Sequence, residues 1–179
     1  MLVDVSELTK TPGGEEVCRG KVTLTPGDLA LTEVRGVAPA EVWLRLRNVD
    51  GSITAEGHAT TTVKVLCARC GTEFELPVEA DWETIYRRGP EGSAGNVETG
   101  EDGQTEWTFF EGNEIDVSSD VVQAMSLGLP MKPLCRPDCR GLCPVCGQNL
   151  NEGSCSCQAQ SVDPRWAALQ EFGRKTKGV

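Results

Sequence analysis

Between Glu41 and Val49 apolar and polar side chains alternate strictly, with Val42, Leu44 and Leu46 on one side and Trp43, Arg45 and Arg47 on the other. That period of two predicts a half-buried strand. Asp50-Gly51 follows, the dipeptide that suits a two-residue hairpin turn, and ITAEGHATTTVKVL (53–66) then reads as a long Thr- and Val-rich strand. After CARCG the alternation resumes over 72–86, with Phe74, Leu76, Val78, Ala80 and Trp82 in phase, which places CARCG at the tip of a long hairpin. Pro77 cannot donate to a ladder, so it predicts an edge or bulged position in this strand. Upstream, VCRGKVTLT (17–25) alternates after Cys18, and downstream EWTFFEG is a short strand candidate.

The period changes over 114–130. Val121, Val122, Met125 and Leu129 share a helical face, Ser118 or Ser119 is placed to cap it, and Gly128 and Pro130 stop it. Residues 88–105 carry five glycines and four acids and almost nothing to bury, which predicts a solvated loop that the sheet does not need. The chain closes on DPRWAALQEFGRK, with Asp163 as a cap, Pro164 at the first helical position and Trp166, Leu169 and Phe172 along one side. The expected class is α+β: an N-terminal antiparallel sheet or partly open barrel with a long hairpin, one packing helix, then a C-terminal zinc-knuckle segment and terminal helix. The division falls into a β-rich domain over 1–130 and a cysteine-rich segment over 131–179.

Composition narrows the setting. The 179 residues are 39% hydrophobic but only 5% aromatic, so the core should be mostly aliphatic. MLVDVSELTK lacks the features of a signal peptide, and no apolar run of about 18 residues exists to span a membrane. The expectation is a soluble cytoplasmic protein without membrane contact. A formal charge of −10 argues against a whole-surface nucleic-acid binder. The charge is uneven: residues 1–129 hold 10 Lys/Arg against 23 Asp/Glu, whereas residues 130–179 hold 7 against 4.

The nine cysteines resolve into four close pairs, Cys67/Cys70, Cys135/Cys139, Cys143/Cys146 and Cys155/Cys157, with Cys18 alone. CARCG and CPVCG share one form, CxxC followed by Gly. Such a turn brings two sulfurs to one ion, points backbone N–H groups at the thiolates and needs Gly for the positive φ that closes it. In a reducing compartment dense cysteines bind metal more often than they form bridges. Three pairings of the pairs are possible. The turn-rich GQNLNEGS favours Cys143, Cys146, Cys155 and Cys157 as one zinc site, leaving Cys67, Cys70, Cys135 and Cys139 as the other. The spacings match none of the common iron–sulfur runs. CARC joins two strands rather than entering a helix as in thioredoxin-like proteins. An all-thiolate zinc has no open position, so it is structural; its apparent binding free energy of about 10–16 kcal/mol would substitute for the core that residues 131–162 lack.

No active site is legible. His58, alone of its kind, sits among threonines as a surface or packing residue. Cys18 reads as an apolar filler in a strand. There is no phosphate loop, serine elbow or paired-carboxylate motif. Trp43 with Arg45 and Arg47 could stack on RNA, but such a strand face is more often plain structure. Lys132, Arg136 and Arg140, close to a predicted metal site, are the candidate contacts for RNA or a protein partner.

The run LGLPMKPLCRPDCRGLCPVCGQNLNEGSCSC, followed by DPRWAALQEF and taken with CARCGTEFELPVEADW upstream, resembles the YceD-type large ribosomal RNA subunit accumulation proteins over about residues 60–175. The resemblance implies a bacterial cytoplasmic protein needed for normal levels of large-subunit (23S) ribosomal RNA, with no enzymatic activity. Some members of the family lack the counterparts of Cys143, Cys146, Cys155 and Cys157 but keep those near Cys67/Cys70 and Cys135/Cys139, which supports the pairing above. The expected partner is large-subunit ribosomal RNA or a ribosomal or assembly protein, with no small-molecule substrate. A zinc-ribbon regulatory module and, less well supported, a thiol oxidoreductase or a nuclease are the competing readings.

Overall fold

A computed structural model describes residues 1–157. In chain order its elements are β1 (Leu2–Asp4), α1 (Ser6–Lys10), β2 (Glu15–Val22), a 3-10 turn at Pro26–Asp28, β3 (Val34–Val37), β4 (Ala40–Val49), β5 (Ser52–Leu66), β6 (Glu73–Arg88), β7 (Val97–Thr99), β8 (Glu106–Phe110), β9 (Glu114–Asp116) and α2 (Ser118–Gly128). The predicted terminal helix on DPRWAALQEFGRK lies outside the described residues.

The sequence pattern sets the central hairpins. Asp50 and Gly51 both take positive φ, 50° and 83°, as a turn matched to strand twist requires. The side chain of Asn48 accepts the Gly51 N–H at 3.1 Å and donates to Leu8 O at 2.8 Å, tying the turn to α1. β5 pairs along one edge with β4 and then β3, and along its whole other edge with β6. Every paired position from Ile53↔Tyr86 to Leu66↔Glu73 is in register. At about 3.4 Å per residue, this hairpin reaches roughly 50 Å from the β4–β5 turn to the cysteine tip.

The large sheet runs β2-β4-β5-β6-β8-β7, with β3 beside β5, and β1 pairs with β9 in a separate two-stranded ribbon. Of the two expected forms, sheet or partly open barrel, it is an open sheet: among the described residues its outermost strands, β2 and β7, do not pair. The inner face is covered instead by α2, packed along β6, and by the ribbon with α1. Val121, Ala124 and Met125 of α2 are buried, and Val121 and Met125 join Val42, Ala59, Val63 and Val78 in one half of the core. Leu44, Leu46, Ile53, Ile115 and Val117 form the other half. The sheet is also not wholly antiparallel, since β6 and β8 run parallel over Ile85–Arg88.

Two local expectations are corrected and a third is narrowed. Residues 88–105 do contribute to the sheet, because β7 forms its outer strand against β8 and Ser93 is buried with its hydroxyl donating to Pro90 O at 2.6 Å. Backbone pairing needs no apolar side chains, so composition conceals it. Helix α2 begins at Ser118 with Val117 at the capping position; neither serine caps it, and Asp116 Oδ1 instead accepts the Ser118 N–H at 3.0 Å and the Ser118 hydroxyl at 2.6 Å. Pro77 sits in a regular, unbulged register opposite Thr62. It is tolerated because β6 has no strand on its other side before Ile85 among the described residues, so the edge reading holds and the bulge does not.

Candidate metal centres

Two tight turns of the same construction supply the first half of each cluster. At the hairpin tip, the Cys67 N–H donates to Thr72 O at 2.9 Å and the Gly71 N–H donates to Cys67 O at 2.9 Å. In the tail, the Cys143 N–H donates to Gln148 O at 2.8 Å and the Gly147 N–H donates to Cys143 O at 2.9 Å. Gly71 and Gly147 have φ of 70° and 75°, a conformation that costs glycine little and other residues more. The two CxxCG sequences therefore fold alike for the same reason.

The turns meet the remaining cysteines in two groups, Cys67, Cys70, Cys135, Cys139 and Cys143, Cys146, Cys155, Cys157, with the sulfurs of each group within 4.8 Å of one another. In the first, Cys67 Sγ lies 3.7 Å from Cys139 Sγ and Cys70 Sγ lies 3.7 Å from Cys135 Sγ. Four sulfurs at about 2.3 Å from a tetrahedral ion stand about 3.8 Å apart, so the spacing fits a metal. All nine cysteines are free thiols, so the pairs are not disulfides. Either group could bind a metal ion, and the grouping is the one that spacing favoured over its two alternatives. The Pro133 carbonyl anchors the segment before Cys135 by accepting the Ala68 N–H at 2.8 Å, and Arg69 donates to Cys139 O at 2.9 Å.

The clusters differ in exposure. Cys67, Cys70 and Cys139 are buried, whereas Cys146 and Cys157 are exposed. Burial opposes ionisation of Cys67, yet the N–H groups of Cys135, Arg69 and Cys70 converge on its sulfur and bring the thiol down to about 6. The N–H groups of Cys146 and Val145 do the same for Cys143, also to about 6. Cys135 is pushed up to about 12 by burial and by its neighbouring thiols, and Cys157 up to about 12 chiefly by the hydrogen-bonded Cys146 sulfur and by Cys155 beside it. Both clusters thus contain thiols shifted in opposite directions, and cation uptake, which requires deprotonated sulfurs, would release protons.

Lys132, Arg136 and Arg140 are all exposed beside the first cluster. They are not equivalent. The Arg136 guanidinium donates to Asn151 Oδ1 at 2.6 Å and lies 3.7 Å from Asp138. The Arg140 backbone N–H donates to the same Asn151 oxygen at 2.8 Å, leaving its side chain outward. Lys132 makes no ion pair among the described residues. The other singled-out residues are accounted for by structure. His58 pairs with Asp81 on the open face at 2.7 Å. Arg47 donates to Glu15 at 2.9 Å, and Arg45 faces Glu15 and Glu56 while lying over Trp43. Cys18 packs against the core, and burial raises its pKa. Sequence reading missed Thr72, Asn149 and Asn151; for the two asparagines the run of polar, turn-forming side chains in GQNLNEGS was the available signal.

This is a mostly β protein with one four-cysteine group shared between the hairpin tip and the segment after α2 and a second built within that segment, and either group could hold a metal ion. The chain belongs to the family described as "Large ribosomal RNA subunit accumulation protein YceD", whose model matches residues 55–173, a span that includes every clustered cysteine. An uncharacterised protein of Mycobacterium tuberculosis is 28% identical over 174 residues, covering 96% of this chain and 81% of its own. A similarly uncharacterised protein of Mycobacterium leprae is 28% identical over 175 residues, covering 96% of this chain and 77% of its own. The protein of Zea mays named large ribosomal RNA subunit accumulation protein YCED homolog 1, chloroplastic, is 25% identical over 162 residues, covering 78% of this chain and 55% of its own. No solved structure matches the chain significantly. The family's name describes accumulation of an RNA rather than an enzymatic activity, and no helix among the described residues is long and apolar enough to cross a membrane.

Proposed function

We propose that this chain is a non-enzymatic cytoplasmic factor that supports accumulation of large-subunit ribosomal RNA, acting in its processing or in ribosome assembly. Two structural zinc ions stabilise it, one held by Cys67, Cys70, Cys135 and Cys139, the other by Cys143, Cys146, Cys155 and Cys157. The observation that supports this most is the pair of closed four-sulfur groups: with every position of a tetrahedral ion taken by thiolate, no site is left for water or substrate. The metal then shapes a surface rather than performing a reaction. The family's named role supplies the RNA.

The surface presented is the one around the first cluster, where Lys132, Arg136 and Arg140 would contact ribosomal RNA. Four thiolates around a divalent ion carry about −2 net, and these cations offset that charge as well as facing outward. Reversing Lys132 and Arg140 to Glu should abolish association with large-subunit precursors, measured by co-sedimentation before and after nuclease. Association that survives nuclease and the reversal would favour a basic ribosomal or assembly protein held by the acidic remainder of the chain. Depletion in the native host should lower large-subunit RNA while sparing small-subunit RNA; equal loss of both, or of neither, contradicts the proposal.

A further inference from the structure

The loop between the two halves of the second cluster does not stay with that cluster. It is fixed at one end by Cys143 and Cys146 and at the other by Cys155 and Cys157, and its middle folds back over the first cluster. Asn151 Nδ2 donates to Cys139 Sγ at 3.3 Å. Asn151 Oδ1 accepts from Arg136 and from the Arg140 N–H. Asn149 Oδ1 accepts the Asn151 N–H at 3.0 Å and Asn151 Nδ2 at 2.9 Å, which fixes the orientation of that amide. Asn149 Nδ2 reaches Thr72 Oγ1 at 3.4 Å, and Thr72 Oγ1 lies 3.3 Å from Cys70 Sγ. The loop is held from below as well, since the Leu150 N–H donates to Gly141 O at 2.9 Å.

We infer that Asn151 is a positioning residue that couples the two metal centres: the ion held by Cys143, Cys146, Cys155 and Cys157 fixes the loop that places Asn151 on Cys139, so the first centre retains its metal only as firmly as the second is filled. This rests on the metal reading of both clusters. The chemistry is that of an outer hydrogen bond to a ligand. An N–H aimed at a metal-bound sulfur takes up part of its negative charge, disfavours its protonation and orients it, and loss of such a partner typically lowers metal affinity about 10–100-fold. Without an ion in the second cluster, residues 143–157 have little apolar side chain to hold their shape, and the amide is released from Cys139. The order of loss is set by access: Cys146 and Cys157 are exposed, so the second centre exchanges first. The same amide oxygen ties Arg136 and the Arg140 backbone, so the outward basic surface would loosen together with the first cluster.

The test uses the full chain loaded with zinc and mixed with excess chromogenic chelator. The wild type should release its ions in two phases. Asn151→Ala should keep two zinc ions and an unchanged fast phase while the slow phase accelerates about 10–100-fold. Asn151→Asp, which keeps the acceptor and loses the donor, should accelerate it too. The double variant Cys146→Ser, Cys157→Ser should lose the fast phase and accelerate the slow one. With Co(II) in place of zinc, removing the N–H···S bond in Asn151→Ala should move the thiolate-to-cobalt charge-transfer band to lower energy, which a merely structural effect would not do. A slow phase and a band unmoved in Asn151→Ala, with two ions still bound, would overturn the coupling and leave the metal reading intact. A wild-type chain that takes up neither zinc nor cobalt would overturn the metal reading itself.

Discussion

Cys67 Sγ and Cys139 Sγ lie 3.7 Å apart although 72 residues separate them. One belongs to the tip of the long hairpin, the other to the segment that follows α2. Their meeting fastens a tail with little core of its own onto the far end of the sheet. Removing either sulfur should therefore undo more than one ligand. Cys139→Ser is expected to lose one metal ion per chain and to leave the segment after Pro130 open to protease while the sheet stays folded, because structural metal binding is itself folding free energy of about 10–16 kcal/mol in small sites. Limited proteolysis with mass analysis of the fragments checks this; a tail as resistant as in the wild type would contradict it.

Trp82 lies across Gly57 on the neighbouring strand, its indole occupying the space that a Cβ at residue 57 would need. The partly buried indole packs against both halves of the core, so displacing it disturbs that packing. Gly57→Ala should cost about 1–3 kcal/mol through overpacking, read as a lower denaturation midpoint, with metal content unchanged.

Asn48 is buried on the inner face, and its amide joins the Asp50-Gly51 turn to α1 through the Gly51 N–H and Leu8 O. Asn48→Leu fills the volume but leaves those backbone groups without partners. A loss of about 1–3 kcal/mol is expected, again without effect on the cysteine clusters. A neutral outcome in chemical denaturation would contradict the assigned role of the amide.

Metal retention should depend on pH with a definite sign. The Cys67 and Cys143 thiols are held down to about 6 from an ordinary 9 by backbone N–H groups. Their thiolates therefore favour the folded clusters fully above the unfolded value, and this contribution falls away as the pH drops through about 6. Dialysis at stepped pH followed by metal analysis should show ions retained at neutral pH and lost on acidification, at a pH below the metal-free thiol value because the cation itself competes with the proton. Loss that instead sets in on going alkaline would contradict the sign.

The parts of the fold that were legible in the sequence are those written in local pattern. Strict alternation over 41–49 and 72–86, with Asp50-Gly51 between strands, specified the hairpins and their faces, and the repeated CxxCG turns specified half of each cluster. What was not legible depends on distant partners. β1, β7 and β9 are each three residues long, too short for periodicity, and exist because another strand lies alongside. The parallel pairing of β6 with β8, and the choice of helix and ribbon over barrel closure, are properties of packing. Asn149 and Asn151 looked like turn formers because their reach to Thr72 and Cys139 exists only once both clusters have formed.

The central claim is tested most directly by elemental analysis of the full chain purified under reducing conditions without chelators, paired with a count of accessible thiols on the same sample. Two zinc ions per chain, with the eight clustered cysteines protected until a chelator is added, is the predicted result. A chain free of bound metal whose residues 131–157 nonetheless resist protease, or one whose clustered cysteines prove to be disulfides, would contradict it.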